Sequence, residues 1–180
     1  MNIYIVRHCK AEGQSPEANL TQDGQNQAEK LAEFLLGKNI DGIISSPFAR
    51  AYQSIYPFAM KSEIKLITDN RLSERILSDE NHQNWREMLR NTFIDFELRY
   101  DGGESSNGAT NRILAVIRDL KNSGLNNVVL VTHGNLMSLL LKHYDNRYGF
   151  EAWEALTNPD VYQLNFSGVL SSTVSRIWVE

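Results

Sequence analysis

One cysteine, Cys9, stands in 180 residues, so no internal disulfide can brace the fold and burial has to hold it. A chain without oxidised pairs suits a reducing compartment, and cytoplasm is the expected location. Long apolar runs are missing as well. Nothing approaches the roughly 20 residues of a membrane helix, and the five residues between Met1 and Arg7 are too few for a signal peptide's apolar region. The chain is therefore expected neither to cross nor to engage a membrane. An excess of positive charge is also lacking, since 18 Lys and Arg against 22 Asp and Glu leave a net charge of −4. Such a field repels polyanions, which argues against nucleic acid as a partner and means that any bound anion is held by local cations. Repeats and low-complexity tracts are absent too. What is present, 42% hydrophobic and 22% charged residues, is the balance of a globular protein at a length that predicts one domain over 1–180.

Ile3-Tyr4-Ile5-Val6 is a short apolar run that breaks off in charge, which predicts a buried strand with polar groups at its carboxyl end. Thr21 can cap a helix with Ala28, Leu31, Ala32 and Leu35 on its apolar face and Gly37 at its end. Ile40 to Ile44 predicts a second strand. Ser46-Pro47 reads as the N-cap and first position of a helix carrying Phe48, Ala51, Tyr52 and Ile55 on one face, which Pro57 is expected to kink or stop. After a weaker strand from Ile64 to Thr68, Trp85, Met88, Leu89, Phe93 and Phe96 fall at helical spacing without a strand partner. The segment 76–101 is accordingly read as an inserted helical cap, its aromatic stripe turned to the core.

Gly102-Gly103 interrupts the chain before a helix with Ala109, Ile113, Val116, Ile117 and Leu120 inward. Asn127 to Thr132 is the clearest strand, a helix follows through Leu140, and Val161 to Phe166 and Thr173 to Val179 read as a closing pair. The alternation predicts an α/β fold, a three-layer α/β/α sandwich around a mainly parallel, mixed central sheet.

Two of these strands run into histidines, His8 after Arg7 and His133 directly after Thr132. A parallel sheet gathers strand carboxyl ends, so the pair is a site candidate where either alone would be a structural default. Arg50 lies in the first turn of the helix after the second strand, which brings its guanidinium to the edge Arg7 already occupies. Guanidinium groups match phosphate oxygens with paired hydrogen bonds, and helix N-termini add N–H donors, so the composite reads as a pocket for a phosphoryl group. Glu74, just past the third strand, offers the acid that a departing alkoxide needs, although position alone does not single it out among the acidic residues. The four histidines lack zinc-ligand spacing and Cys9 has no companion, so no metal is expected.

Six segments in order then carry a resemblance. Ile5-Val6-Arg7-His8, Leu20-Thr21-Gln22-Asp23-Gly24-Gln25-Asn26-Gln27-Ala28, and Ser45-Ser46-Pro47-Phe48-Ala49-Arg50-Ala51-Tyr52-Gln53-Ser54 are followed by Arg71-Leu72-Ser73-Glu74, Gly103-Glu104-Ser105 and Val131-Thr132-His133-Gly134-Asn135. Each resembles a motif of the histidine phosphatase superfamily, which includes the cofactor-dependent phosphoglycerate mutases. The resemblance implies that His8 is the phosphorylated nucleophile and Glu74 the proton donor, with Arg7, Arg50 and His133 clamping the phosphate. Gln14 falls where relatives carry a phosphate-contacting asparagine. Cys9 replaces the signature glycine and is read as a tolerated small side chain rather than a redox-sensitive thiol.

The expected activity is hydrolysis of a small phosphorylated substrate, with no cofactor, through a phosphohistidine at His8. Flanking arginines are expected to keep its imidazole neutral, and a backbone carbonyl to hold its other nitrogen. A phosphoglycerate mutase is the nearest alternative. Mutases of the family, however, follow the acid with His-Tyr-Gly and a long insertion, and here Arg75-Ile76-Leu77 follows Glu74. A catalytically silent phosphate-binding domain is a further alternative, supported only by Cys9 and Gln14, and it has no use for an acid. A homodimer is left open.

Overall fold

The computed structural model describes residues 1–167 and 172–179. Strand β1 (Asn2–Arg7) is buried along its middle because both of its faces are covered. Alternation sends Ile3 and Ile5 into one apolar cluster and Tyr4 and Val6 into the other. Helix α1 (Gln22–Leu36) is capped by Thr21, whose hydroxyl accepts from Gly24 N at 3.0 Å. A Cβ on Gly24 would stand 2.0 Å from the Lys10 carbonyl oxygen, so only glycine lets this helix press on the loop that follows His8.

Strand β2 (Gly42–Ser45) leads into α2 (Ala49–Ser62), and here the structure departs from expectation. The helix opens after Phe48 rather than at Ser46-Pro47, because Ser46 is still extended and donates its backbone N–H to Val131 in the sheet. Pro57 does not stop the helix either. Ile55 and Phe58, on either side of it, are buried against α1, each worth about 1.5–3 kcal/mol, which offsets the roughly 3 kcal/mol of an interior proline. Tyr52, expected on the inner face, is exposed.

Strand β3 (Leu66–Thr68) is shorter than expected, and a 3₁₀ turn at Asn70–Leu72 follows it. Helix α3 (Trp85–Ile94) buries Met88, Leu89 and Phe93, whereas Trp85 is 48% exposed and Phe96 lies beyond its end. Helix α4 (Ser106–Lys121), strand β4 (Asn127–Thr132), helices α5 (Gly134–Tyr144) and α6 (Phe150–Glu154), and strands β5 (Asp160–Phe166) and β6 (Ser172–Arg176) complete the order. Beyond Arg176 the pairing with β5 turns irregular, with Ile177 and Trp178 both donating their backbone N–H groups to the Val161 carbonyl, and Trp178 packs edge-on against Phe34 of α1, with ring centres 5.2 Å apart. Regular β6 therefore ends sooner than its apolar pattern suggests.

The six-stranded sheet runs β3-β2-β4-β1-β5-β6. Its β1, β2, β3 and β4 are parallel, and β5 and β6 add antiparallel strands. Helices α1 and α2 cover one face, α4 and α5 the other, giving the three layers expected.

Candidate functional site

Register decides what meets at the carboxyl edge. Arg7 pairs with Thr132 and Ser45 with Val131, so the next residues, His8, Ser46 and His133, emerge side by side. The two histidine rings stand 5.1 Å apart, edge to face. His8 Nδ1 lies 2.7 Å from the Cys9 carbonyl oxygen, and Nε2 lies 3.2 Å from Arg50 Nε. Arginine can only donate, so Nε2 carries the lone pair and Nδ1 the proton, and the ring is neutral. Burial is the first cause of that neutrality and pushes the pKa of His8 down to about 3; Arg50 and Arg7 lower it further, against the pull of the Cys9 carbonyl. The arginines thus act as expected but come second to desolvation.

Arg50 is 1% exposed and donates Nη1 to the carbonyls of Gln14 and Ser15 at 3.1 and 2.7 Å. It sits in the first turn of α2, as the sequence suggests. Arg7 donates Nη1 to the Leu156 and Thr157 carbonyls and leaves its buried Nε without a partner among the described residues. Its guanidinium packs under the start of α5, where a Cβ on Gly134 would come within 3.2 Å of Nε, so the His-Gly step keeps that space open. His133 Nε2 is 2.8 Å from Ser46 Oγ, and its buried Nδ1 has no partner among the described residues. When the Ser46 hydroxyl donates to Nε2, Nδ1 becomes a free N–H aimed at an acceptor still to arrive.

Glu74 accepts from the backbone N–H groups of Asn135 and Leu136, each at 3.1 Å, and of Arg75 at 2.8 Å. Its carboxyl group therefore caps the N-terminus of α5, where a negative charge is favoured. Gln14 lies on the same cavity wall, exposed, and Arg50 engages its backbone carbonyl rather than its side-chain amide. Cys9 is fully buried, and burial pushes its thiol up to about 12, which removes the reading of a reactive thiolate. What Cys9 brings to the site is its carbonyl oxygen.

Arg7, His8, Gln14 and Glu74 line a cavity of about 530 Å³ that also takes in Arg75, Leu77, His82, Trp85, Leu89, Asn135, Trp153 and Asn158, whereas Arg50 and His133 are buried against His8 and do not line it. Its deep end is polar. Its mouth is aromatic, with Trp85 and Trp153 edge to face at 6.1 Å, so Trp85 belongs to the cavity and not to the core expected for it. No sequence motif marks Asn158, whose side-chain amide donates to the His8 carbonyl at 2.7 Å across 150 positions. Arg75 is equally unmarked, one of 18 basic residues until its burial is known.

A pH dependence of stability follows. His8 and His133 are both held neutral well below the ordinary histidine range, mainly by burial. Below about pH 6.5 the unfolded chain binds protons that the native state refuses, so stability falls with falling pH, by about 1.4 kcal/mol per unit for each site. Thermal unfolding between pH 7.5 and 5 is expected to show a declining Tm, with a shallower decline in His8→Asn. A flat profile would contradict two buried neutral imidazoles.

The family model of the histidine phosphatase superfamily (branch 1) matches residues 3–175. A putative phosphoserine phosphatase of Hydrogenobacter thermophilus is 26% identical over 154 residues, 77% of this chain and 76% of its own. A probable phosphoglycerate mutase of Proteus mirabilis is 31% identical over 160 residues, 78% and 73% respectively. Among solved structures, a mycobacterial glucosyl-3-phosphoglycerate phosphatase superposes with a TM-score of 0.79 over 98% of both chains at 23% identity, a likeness of fold.

Proposed function

Since the chain belongs to the histidine phosphatase superfamily, we propose that it hydrolyses small phosphomonoesters, with His8 as nucleophile, Glu74 as acid and base, and Arg7, Arg50 and His133 as the phosphate clamp. The observation that carries this reading is the state of His8: a neutral imidazole on the cavity wall, fixed at Nδ1 by a carbonyl, with its Nε2 lone pair turned to the Arg50 guanidinium. Arg50 covers that lone pair at rest. A phosphoryl oxygen offers Arg50 a charged acceptor, a stronger partner than imidazole, and so uncovers Nε2 as it binds.

Attack of Nε2 on phosphorus then forms the P–N bond and breaks the P–O ester bond, while Glu74 gives its proton to the leaving oxygen. Arg7, Arg50 and His133 Nδ1 take up charge on the equatorial oxygens. In the second half Glu74 accepts a proton from water, the water oxygen bonds to phosphorus, and the P–N bond breaks to return His8 and inorganic phosphate. The chain works as one domain over 1–180, in which 76–101 caps the leaving-group side with Leu77, Trp85 and Leu89.

Relatives are named for phosphoserine and for phosphoglycerate, which makes phosphates of small hydroxy acids the first substrates to try. A mutase shares every step but returns the phosphoryl group to a sugar acid. The purified protein, in chelator, should release phosphate from p-nitrophenyl phosphate, and from 3-phosphoglycerate faster than it isomerises it in the presence of the bisphosphate. Isomerisation outpacing hydrolysis would replace the phosphatase with the mutase, and turnover of neither substrate would favour the silent binding domain.

A further inference from the structure

Three arginines of the site, Arg7, Arg50 and Arg75, form no ion pair among the described residues, whereas the half-buried Arg112 nearby is paired with Glu104. A phosphate dianion neutralises two of the three. Glu74 must carry a proton to act as an acid, so it cannot balance the third.

Arg75 is 5% exposed on the cavity wall. Its guanidinium donates only to neutral acceptors among the described residues: Nε to the Glu104 carbonyl at 2.8 Å, and Nη1 to Thr92 Oγ1 at 2.8 Å and Asn135 Oδ1 at 3.4 Å. Its buried Nη2 donates to nothing among the described residues, and neither does Nδ2 of Asn135, itself 7% exposed and on the same wall. The two carboxylates that act on Arg75 are engaged elsewhere. Arg112 holds Glu104 by both oxygens at 2.8 and 2.9 Å, and Glu74 takes backbone N–H groups. A buried cation without a counter-charge is costly unless a ligand supplies one.

We propose that Arg75, with Asn135 beside it, reads a second anionic oxygen group on the leaving-group side of the substrate. The enzyme accordingly prefers phosphomonoesters that carry a carboxylate or a second phosphate over those of neutral alcohols. Arg75 is the chain neighbour of Glu74, so the group it reads lies near the oxygen that Glu74 protonates. The proposal rests on the phosphatase reading of the same site.

The test is a ratio of kcat/KM within matched pairs: 3-phosphoglycerate over glycerol 3-phosphate for the carboxylate, and fructose 1,6-bisphosphate over fructose 6-phosphate for the phosphate. The native enzyme should show a ratio of roughly 10 to 100 in at least one pair, as for a hydrogen bond to a charged group. Arg75→Met should bring that ratio to near unity and Arg75→Lys should keep part of it. Asn135→Asp, which hands Arg75 a carboxylate of its own, should lower it likewise, and keeps the test open if the methionine variant does not fold. A merely structural Arg75 lowers both members of a pair together and leaves the ratio unchanged, which overturns the proposal, as do native ratios near unity in both pairs. Inactivity of the native protein on every ester, p-nitrophenyl phosphate included, overturns instead the reading on which the proposal rests.

Discussion

His8→Ala lowers kcat on p-nitrophenyl phosphate by at least about 10³-fold, the scale set by removal of an enzymic nucleophile, and abolishes the acid-labile phosphate that rapid quenching traps on the native protein. Phosphate itself still binds to the variant, because Arg7, Arg50 and His133 each keep their own anchors on the Leu156, Gln14 and Ser15 carbonyls and on Ser46. The measurement therefore pairs turnover with phosphate affinity. A variant as active as its parent, or one that still accumulates acid-labile phosphate on histidine, removes His8 from the nucleophile's role. The variant should fold, since the ring it loses stands at a cavity wall and not within either apolar cluster.

Glu74→Gln separates the substrates by their leaving groups. For an alkyl ester such as 3-phosphoglycerate, whose alkoxide cannot depart unprotonated, kcat falls by roughly 10²- to 10⁴-fold. Nitrophenolate leaves without a proton, so phosphorylation of His8 by p-nitrophenyl phosphate survives better. Hydrolysis of the phosphohistidine still lacks its base, and stopped flow is expected to show a burst of about one nitrophenolate per site followed by slow turnover. The glutamine amide oxygen can still accept from the N-terminus of α5, which limits the structural damage. Equal losses on both esters with no burst would mean that Glu74 holds α5 in place and moves no proton.

The contrast between Glu74 and Arg75 shows where sequence reasoning works. Glu74 was reachable because a motif and a strand end both point to it. Arg75, the next residue, carries no such mark, and its importance comes from Thr92, Glu104 and Asn135, which lie 17, 29 and 60 positions away. Ser46 makes the same point. Locally it is a good helix cap, yet the sheet claims its backbone and His133 its hydroxyl, so the helix begins later. Trp85 fits a helical stripe, but a stripe says nothing about which stretch of it is left facing a cavity.

By itself the sequence determined the layer order, the mixed sheet, and the family motifs that nominate Arg7, His8, Arg50, Glu74 and His133. These are local properties, periodicity and strand-end chemistry, that survive without knowledge of neighbours. The tertiary structure alone decided that Arg50 rests on the lone pair of His8, that burial more than charge keeps His8 neutral, and that the buried Arg75 guanidinium pairs with no carboxylate among the described residues. Each of those depends on how far a group is withdrawn from water and on what lies within hydrogen-bonding distance of it, and both are set by packing between segments remote in the chain.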